Sequence, residues 1–362
     1  MASDRLTPAE ALELYRHGSI HELGAMAHAV TLRRHREPWR TYVVDRNINY
    51  SNVCTARCAF CNFWAAPGDA DAYVLATDEL LGKLQELADI GGEQVLLQGG
   101  LHPELPFQWY LELLRTIKSH FPAIHVHGFS PPEVRDFATR FGLSVPRVLA
   151  RLREAGLDSV PGGGAEILVD RVRRRIGPGK CDTAGWLDVM RQAHRLGMAT
   201  SATMMFGSIE TDAERIEHLA RLRELQDETG GFVAFICWTF QHAGTALAEL
   251  PRFDGVGEFD GATLRLADSY DYLRMLATAR LFLDNFANGQ ASWVTQGPKI
   301  GQLALFYGAN DMGSVMMEEN VVSSAGATFR LNEGEIRHLI RAAGFVPRRR
   351  NQHYDLLAEP AP

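Results

Sequence analysis

Three of the five cysteines in this 362-residue chain fall within eight positions, Cys54-Thr-Ala-Arg-Cys58-Ala-Phe-Cys61. Three thiolates at these spacings can ligate three irons of a four-iron cluster, whereas electron-transfer clusters take four cysteines. Cys181 and Cys237 are remote in sequence. One iron would therefore keep an open position for an exogenous ligand. A structural zinc site would want a fourth Cys or His close by, and the nearest downstream histidine is His102. A disulfide framework does not suit a large chain with an odd cysteine count and no secretory signal. Buried free cysteines occur singly rather than as a triplet. A cluster with one open iron is the favoured reading, and a non-enzymatic cluster or zinc sensor is the alternative from another class.

The elements that must position the triplet begin just before it. Residues 42–49 read as a strand from their β-branched and aromatic content, which puts the cysteines on the loop at its C-terminal end. Upstream, Thr7-Pro-Ala-Glu10 is a capping box with Pro at the first helical position, and a second helix is expected over 20–36. Downstream, strands and helices alternate. Strands are predicted over 94–98, 124–127, 157–160, 199–206, 232–240, 290–295 and 311–315. Capping boxes at Ser130-Pro-Pro-Glu133 and Thr211-Asp-Ala-Glu214 open two of the helices between them. Residues 241–266, punctuated by Gly, Pro and Asp, form a loop excursion. A last helix over 333–343 precedes a polar tail. Such alternation means βαβ units and a parallel sheet, and its span is close to the ~250 residues of a closed barrel. The fold class predicted is α/β, a (β/α)8 TIM-type barrel over 41–326, with an N-terminal helical extension over 1–40 and a C-terminal helix and tail over 327–362. An open doubly wound sheet is the alternative, but no Gly-x-Gly-x-x-Gly follows the first strand.

Composition narrows the partners. A net charge of −7 and the lack of a dominant basic face disfavour nucleic acid. The runs Arg173–Arg175 and Arg348–Arg350 are read as solvated surface. No apolar run reaches membrane-spanning length, and Met-Ala-Ser-Asp-Arg at the start lacks a signal-peptide core. A cytoplasmic enzyme with no nucleic-acid or membrane partner is expected.

Chemistry in a barrel sits on the loops after the strands, and the unusual residues here fall at those places. They are Gln98, Gly99, Gly100 and His102 after the second strand, His125 and His127 on the third, and Glu166 after the fourth. Gly207 and Glu210 follow the fifth, Trp238 and Gln241 end the sixth, and Trp293 and Gln296 end the seventh. Each has a plainer alternative. The glycine pair serves a turn as readily as a ligand. The histidines can be satisfied interior groups, and Glu166 and Glu210 can be helix-start carboxylates. The two tryptophans are more often core than ligand platforms, and Cys181 and Cys237 read as unligated thiols.

The cysteine spacing with Phe60 before the last cysteine resembles the signature of the radical S-adenosylmethionine (SAM) superfamily. Further blocks narrow the likeness: Asn47-Ile-Asn-Tyr-Ser-Asn-Val-Cys54, Leu96-Leu-Gln-Gly-Gly-Leu-His-Pro103, His127-Gly-Phe-Ser-Pro-Pro-Glu133, Pro161-Gly-Gly-Gly-Ala-Glu166, Met204-Met-Phe-Gly207, Trp238-Thr-Phe-Gln241, Ala291-Ser-Trp-Val-Thr-Gln-Gly297 and Glu318-Glu-Asn-Val-Val322. Over about residues 40–345 the chain resembles the dehypoxanthine futalosine cyclases of menaquinone biosynthesis. The related branches are aminofutalosine synthase and deazaflavin (FO) synthase subunits. Asn62, Trp64 and the 242–266 loop depart from the cyclase pattern and flank the expected substrate mouth. A paralogue acting on a related molecule is thus the alternative. The resemblance implies a 4Fe-4S cluster on Cys54, Cys58 and Cys61, and SAM held near Phe60, Gln98, Gly99, Gly100, Gly207 and Glu210. Leu101 stands where the superfamily's Gly-Gly segment usually continues with Glu. It implies a nucleoside-benzoate substrate and an electron donor such as flavodoxin or ferredoxin. It also implies hydrogen abstraction from ribose C4′, attack of the sugar radical on the benzoate ring, and loss of one electron and one proton. His102, His127, Glu166 and Glu210 are candidates for the base, with Trp238, Gln241, Trp293 and Gln296 as further substrate-side candidates.

Overall fold

The computed structural model describes residues 5–358. Met1–Asp4, the start of the predicted N-terminal extension, and Glu359–Pro362, the end of the predicted tail, lie outside them. Thr7 caps α1 (Pro8–His17) through reciprocal hydrogen bonds with Glu10, and α2 (Ile20–Arg34) follows. Then come β1 (Trp39–Val43), β2 (Asp45–Asn49), α3 (Thr77–Asp89), β3 (Gln94–Gln98), α4 (Phe107–His120) and β4 (His125–Gly128). Helices α5 (Pro131–Arg140), α6 (Val145–Ala155), α7 (Asp170–Ile176) and α8 (Thr183–Arg195) lead to β5 (Thr200–Phe206), α9 (Asp212–Thr229) and β6 (Phe232–Thr239). The chain ends with α10 (Ser269–Phe282), β7 (Asn288–Gln290), α11 (Trp293–Gln296), α12 (Pro298–Ala304), β8 (Asp311–Ser314), α13 (Glu333–Ala342) and β9 (Val346–Arg349).

Every pairing between the named strands is parallel. β2, β3 and β4 pair in order. Single bridges, His127 to Ser159 and Val160 to Thr200, carry the circuit across the fourth position to β5. It continues through β6, β7 and β8, and β8 pairs with β1, the segment that runs directly into β2. This is a TIM-barrel-like α/β fold with its fourth strand reduced to two bridging residues.

Four local expectations change. The first predicted strand is two, because the chain leaves the β8 pairing and joins β3 at Val44. The seventh stops at Gln290, since the Ser292 N–H is taken by the Tyr272 hydroxyl at 2.8 Å, and Trp293–Gln296 turns helical. Residues 346–349 are no polar tail but a strand beside β1. The basic runs are not wholly surface. Arg173 is buried and donates to the carbonyls of Gly164, Ala165 and Cys181. Arg350 is buried against Asp311, with Nε–Oδ2 at 2.6 Å. Among the described residues no helix is long and apolar enough to cross a membrane.

Candidate active site

The cysteine loop is stapled at its base. Cys54 N–H donates to the Ala65 carbonyl at 3.0 Å, and Ala65 N–H to that of Asn52 at 2.9 Å. Within the loop the Cys61 N–H returns to the Cys58 carbonyl, and Ala59 N–H reaches Ile176. The three thiols and Phe60 line a cavity of about 290 Å³ at the C-terminal end of the strands. Burial pushes the Cys58 thiol up to about 12 and raises that of Cys61. Such thiols become thiolates on a metal, which supplies the missing positive charge. Among the described residues no further Cys or His lines this cavity. The three thiols are a donor set that fits a four-iron cluster, and Gly99 and Gly100 line the same cavity.

The glycine pair packs directly against this loop. A Cβ on Gly100 would lie 2.2 Å from the Val53 carbonyl oxygen and 2.7 Å from the Cys54 Cβ, and one on Gly99 would meet the Tyr50 ring at 2.4 Å. Gly100 N–H donates to Ser51 and Thr55 N–H to Leu101, while Leu101 N–H points at the Cys54 sulfur at 3.3 Å. The Glu133 carboxylate fixes the corner, accepting from Gly99 N–H at 3.2 Å, the Tyr50 hydroxyl at 2.7 Å and Ser130 N–H at 2.7 Å. Burial raises its pKa, and these donors oppose the rise.

Glu166 sits in the same wall with a left-handed backbone, φ 40°, and its Oε1 accepts from Lys180 Nζ at 3.0 Å. Lys180 also lies 4.8 Å over the Phe60 ring. Burial works against the ammonium, but Cys58 and Glu166 outweigh it and hold its pKa above the ordinary lysine value.

Inward from the cysteines a second cavity of about 230 Å³ fills the barrel. Asn47, Gln98, Gly163, Trp238, Glu319 and Val322 line both. The inner chamber therefore adjoins the cluster cavity, with Gln98 and Trp238 at the junction. Its walls include Trp293, whose Nε1 donates to the Ser314 carbonyl at 3.0 Å. Asp45, Gln94, His127, Arg350, Gln352 and Tyr354 line its polar part. Asn47 Oδ1, Gln94 Oε1 and the Tyr354 hydroxyl are buried there without partners.

The remaining candidates sit differently. Gln241 lines the outer cavity, its amide turned to Thr239. Gln296 donates to the Thr239 hydroxyl at 2.7 Å and lines neither cavity. His102 also lines neither; its Nδ1 accepts from the Glu104 and Leu105 N–H groups. Glu210 is fully buried as a brace, accepting from the N–H groups of Gly207 and Ser208 and from Arg215, and neither it nor Gly207 lines the cavities. The sequence reading missed Lys180, Glu133 and Glu319. Glu319 lines both cavities and accepts from the N–H groups of Val321, Val322 and Ser323. Signals existed for two of them, since Glu133 closes a capping box and Glu319 lies in a block already singled out.

A parallel, barrel-like sheet with a three-cysteine loop after β2 defines a class. The radical SAM superfamily pattern matches residues 48–222, and the CofH/MqnC C-terminal region matches residues 229–362. The chain belongs to the radical SAM superfamily, on its CofH/MqnC branch, and is an enzyme of that kind. It is 44% identical to the cyclic dehypoxanthine futalosine synthase of Halalkalibacterium halodurans over 98% of this chain and 92% of that one. The Streptomyces coelicolor protein of the same name is 46% identical over 98% and 86%. The aminodeoxyfutalosine synthase of Thermus thermophilus is 38% identical over 98% and 93%. Among solved structures, methylornithine synthase (PylB) superposes with a TM-score of 0.70 at 18% identity, covering 95% of each chain, a likeness of fold.

Proposed function

We propose that this enzyme cyclises dehypoxanthine futalosine to cyclic dehypoxanthine futalosine in menaquinone biosynthesis, in the cytoplasm and with reduction by a flavodoxin or ferredoxin. The observation that carries the reading is the 44–46% identity to two synthases of that name over 98% of this chain. When bound, the cluster and SAM supply a 5′-deoxyadenosyl radical. The chain's own work is placement. Cys54, Cys58 and Cys61 would hold the cluster, and Gly99 and Gly100 would offer their backbone to SAM beside it. Phe60 and the Lys180–Glu166 pair wall that side. The inner chamber would take the nucleoside-benzoate, and Gln98 and Trp238, which line both cavities, would position its ribose at the junction. A closed barrel holds the reacting atoms together and keeps water out. His127 and Glu166, both on cavity walls, remain as bases for the ring proton. Asn62, whose amide donates to the Ser324 carbonyl at 2.7 Å, and Trp64 shape the mouth.

The test is anaerobic incubation of the reconstituted enzyme with SAM, dithionite and dehypoxanthine futalosine. Cyclised product with 5′-deoxyadenosine is expected. Deoxyadenosine without it, or turnover of an aminodeoxyfutalosine or ribitylaminouracil precursor instead, would move the enzyme to a sister reaction.

A further inference from the structure

The ring proton released in this cyclisation must leave a chamber closed at its base by the carboxy-terminal tail. Gln352, Gln94, Val43 and Arg350 line both the inner chamber and a separate groove of about 200 Å³ beneath the barrel. Side chains stand between the two spaces, but a hydrogen-bonded chain passes through the wall. His127 Nδ1 is 2.6 Å from the Ser159 hydroxyl, and that oxygen is also 2.6 Å from His125 Nε2. The alternation of β4 puts the two histidines on one side, and Ser159 faces them from the bridging residues of the fourth position. On the chamber side His127 Nε2 has long contacts, 3.4 Å to the Ser201 hydroxyl and 3.3 Å to the Gln352 amide, which also lies 3.4 Å from Nδ1. On the far side His125 lines the lower groove, with the exposed His353 ring 5.6 Å away.

We propose that His127, Ser159 and His125 form a proton-exit path from the inner chamber to the groove below the barrel, an assignment that rests on the cyclase reading. A serine hydroxyl carries one proton and a neutral imidazole one N–H. One ring must therefore donate to Ser159 while the other accepts from it. The C–H bond at the attacked ring carbon breaks, and its proton goes to His127 Nε2. The His127 Nδ1 proton then passes to Ser159, the Ser159 proton to His125 Nε2, and the His125 Nδ1 proton to water. The accompanying electron goes to a one-electron carrier protein. The charged groups facing the path suit transit rather than storage. Burial, His125 and Arg350 hold the His127 pKa well below its ordinary value. Burial takes His125 to about 4, with Asp158 raising it and His353 and Lys118 lowering it.

Full-length reconstituted Ser159→Ala and His125→Gln enzymes test the path. Expected are retained 5′-deoxyadenosine formation in the first turnover, cyclised product slowed by about a hundredfold, and a larger solvent deuterium isotope effect on product. In the ¹⁵N-histidine NMR spectrum of the unloaded chain, Ser159→Ala should change the tautomer signals of both His125 and His127. Wild-type rates and isotope effects in either folded variant would overturn the path. If the wild-type enzyme makes no cyclised product, the cyclase reading falls on its own. The NMR comparison then decides the path, and histidine signals indifferent to Ser159→Ala overturn it.

Discussion

Lys180 Nζ and Glu166 Oε1 lie 3.0 Å apart in the wall of the cluster cavity, with side chains 18% and 8% exposed. Removing one partner of a buried pair leaves an uncompensated charge, a cost of about 3 kcal/mol or more. Glu166→Gln is expected to lower the urea-unfolding stability of the apo chain by about that amount. The double variant Glu166→Gln, Lys180→Gln should lose clearly less than the two single losses together, as coupled neighbours do. Additive losses in the urea titrations would show that the pair is not coupled.

Cys58 is 5% exposed and packs with Ala56 and Leu101. Cys58→Ala removes one small buried atom group, so the chain should fold. It should bind little iron and labile sulfide after reconstitution, and SAM cleavage should be lost. Chelation of iron from the wild-type enzyme should have the same effect. Retained 5′-deoxyadenosine production by Cys58→Ala would remove Cys58 from the ligand set.

The contact between Gly100 and the cysteine loop gives a sharper substitution. An added Cβ meets backbone, the Val53 oxygen at 2.2 Å, which cannot move without moving Cys54. Gly100→Ala should destabilise by about 1–3 kcal/mol and reduce iron incorporation together. Gly82 on α3 has open space around its Cβ position, so Gly82→Ala should gain about 0.5–1 kcal/mol with iron content unchanged. Thermal unfolding and iron assay of both variants check the contrast. Equal behaviour would mean the glycine pair is not packed as described.

The parts legible in sequence were those whose cause is local. The cysteine spacing, the Thr7, Ser130 and Thr211 capping boxes and the strand–helix rhythm each depend on residues a few positions apart, and each recurs in the structure. What distant partners decide was not legible. Val44 divides two strands because β1 pairs with β8, roughly 270 residues away, while β2 pairs with β3, roughly 50 residues away. Trp293–Gln296 turns helical because Tyr272 takes the N–H the strand would have used. Lys180 has no motif around it and enters the site through the short connection 177–182 between α7 and α8. Arg350 looked solvated as part of a basic run, and only the fold puts Asp311 beside it.

Asp45 supplies a pH-dependent test of the chamber. Its carboxyl is buried beside the Ser314 hydroxyl and accepts from Gln94 Nε2 at 3.1 Å. Burial raises its pKa from 3.8 to about 6, against the opposing pull of Ser314, Arg350 and Gln94. A carboxyl raised on folding binds its proton more tightly in the native state. Its contribution is therefore fully present below the unfolded pKa, and stability falls as pH rises from about 4 through about 6. The shift corresponds to about 3 kcal/mol at 1.36 kcal/mol per unit. Asp45→Asn removes the ionisation while keeping an amide in the same space. Relative to wild type it should gain up to about 3 kcal/mol at pH 7–8 and nothing at pH 4, measured by urea unfolding of the apo chain across that range. A constant difference at every pH would mean that Asp45 is not held protonated by its burial.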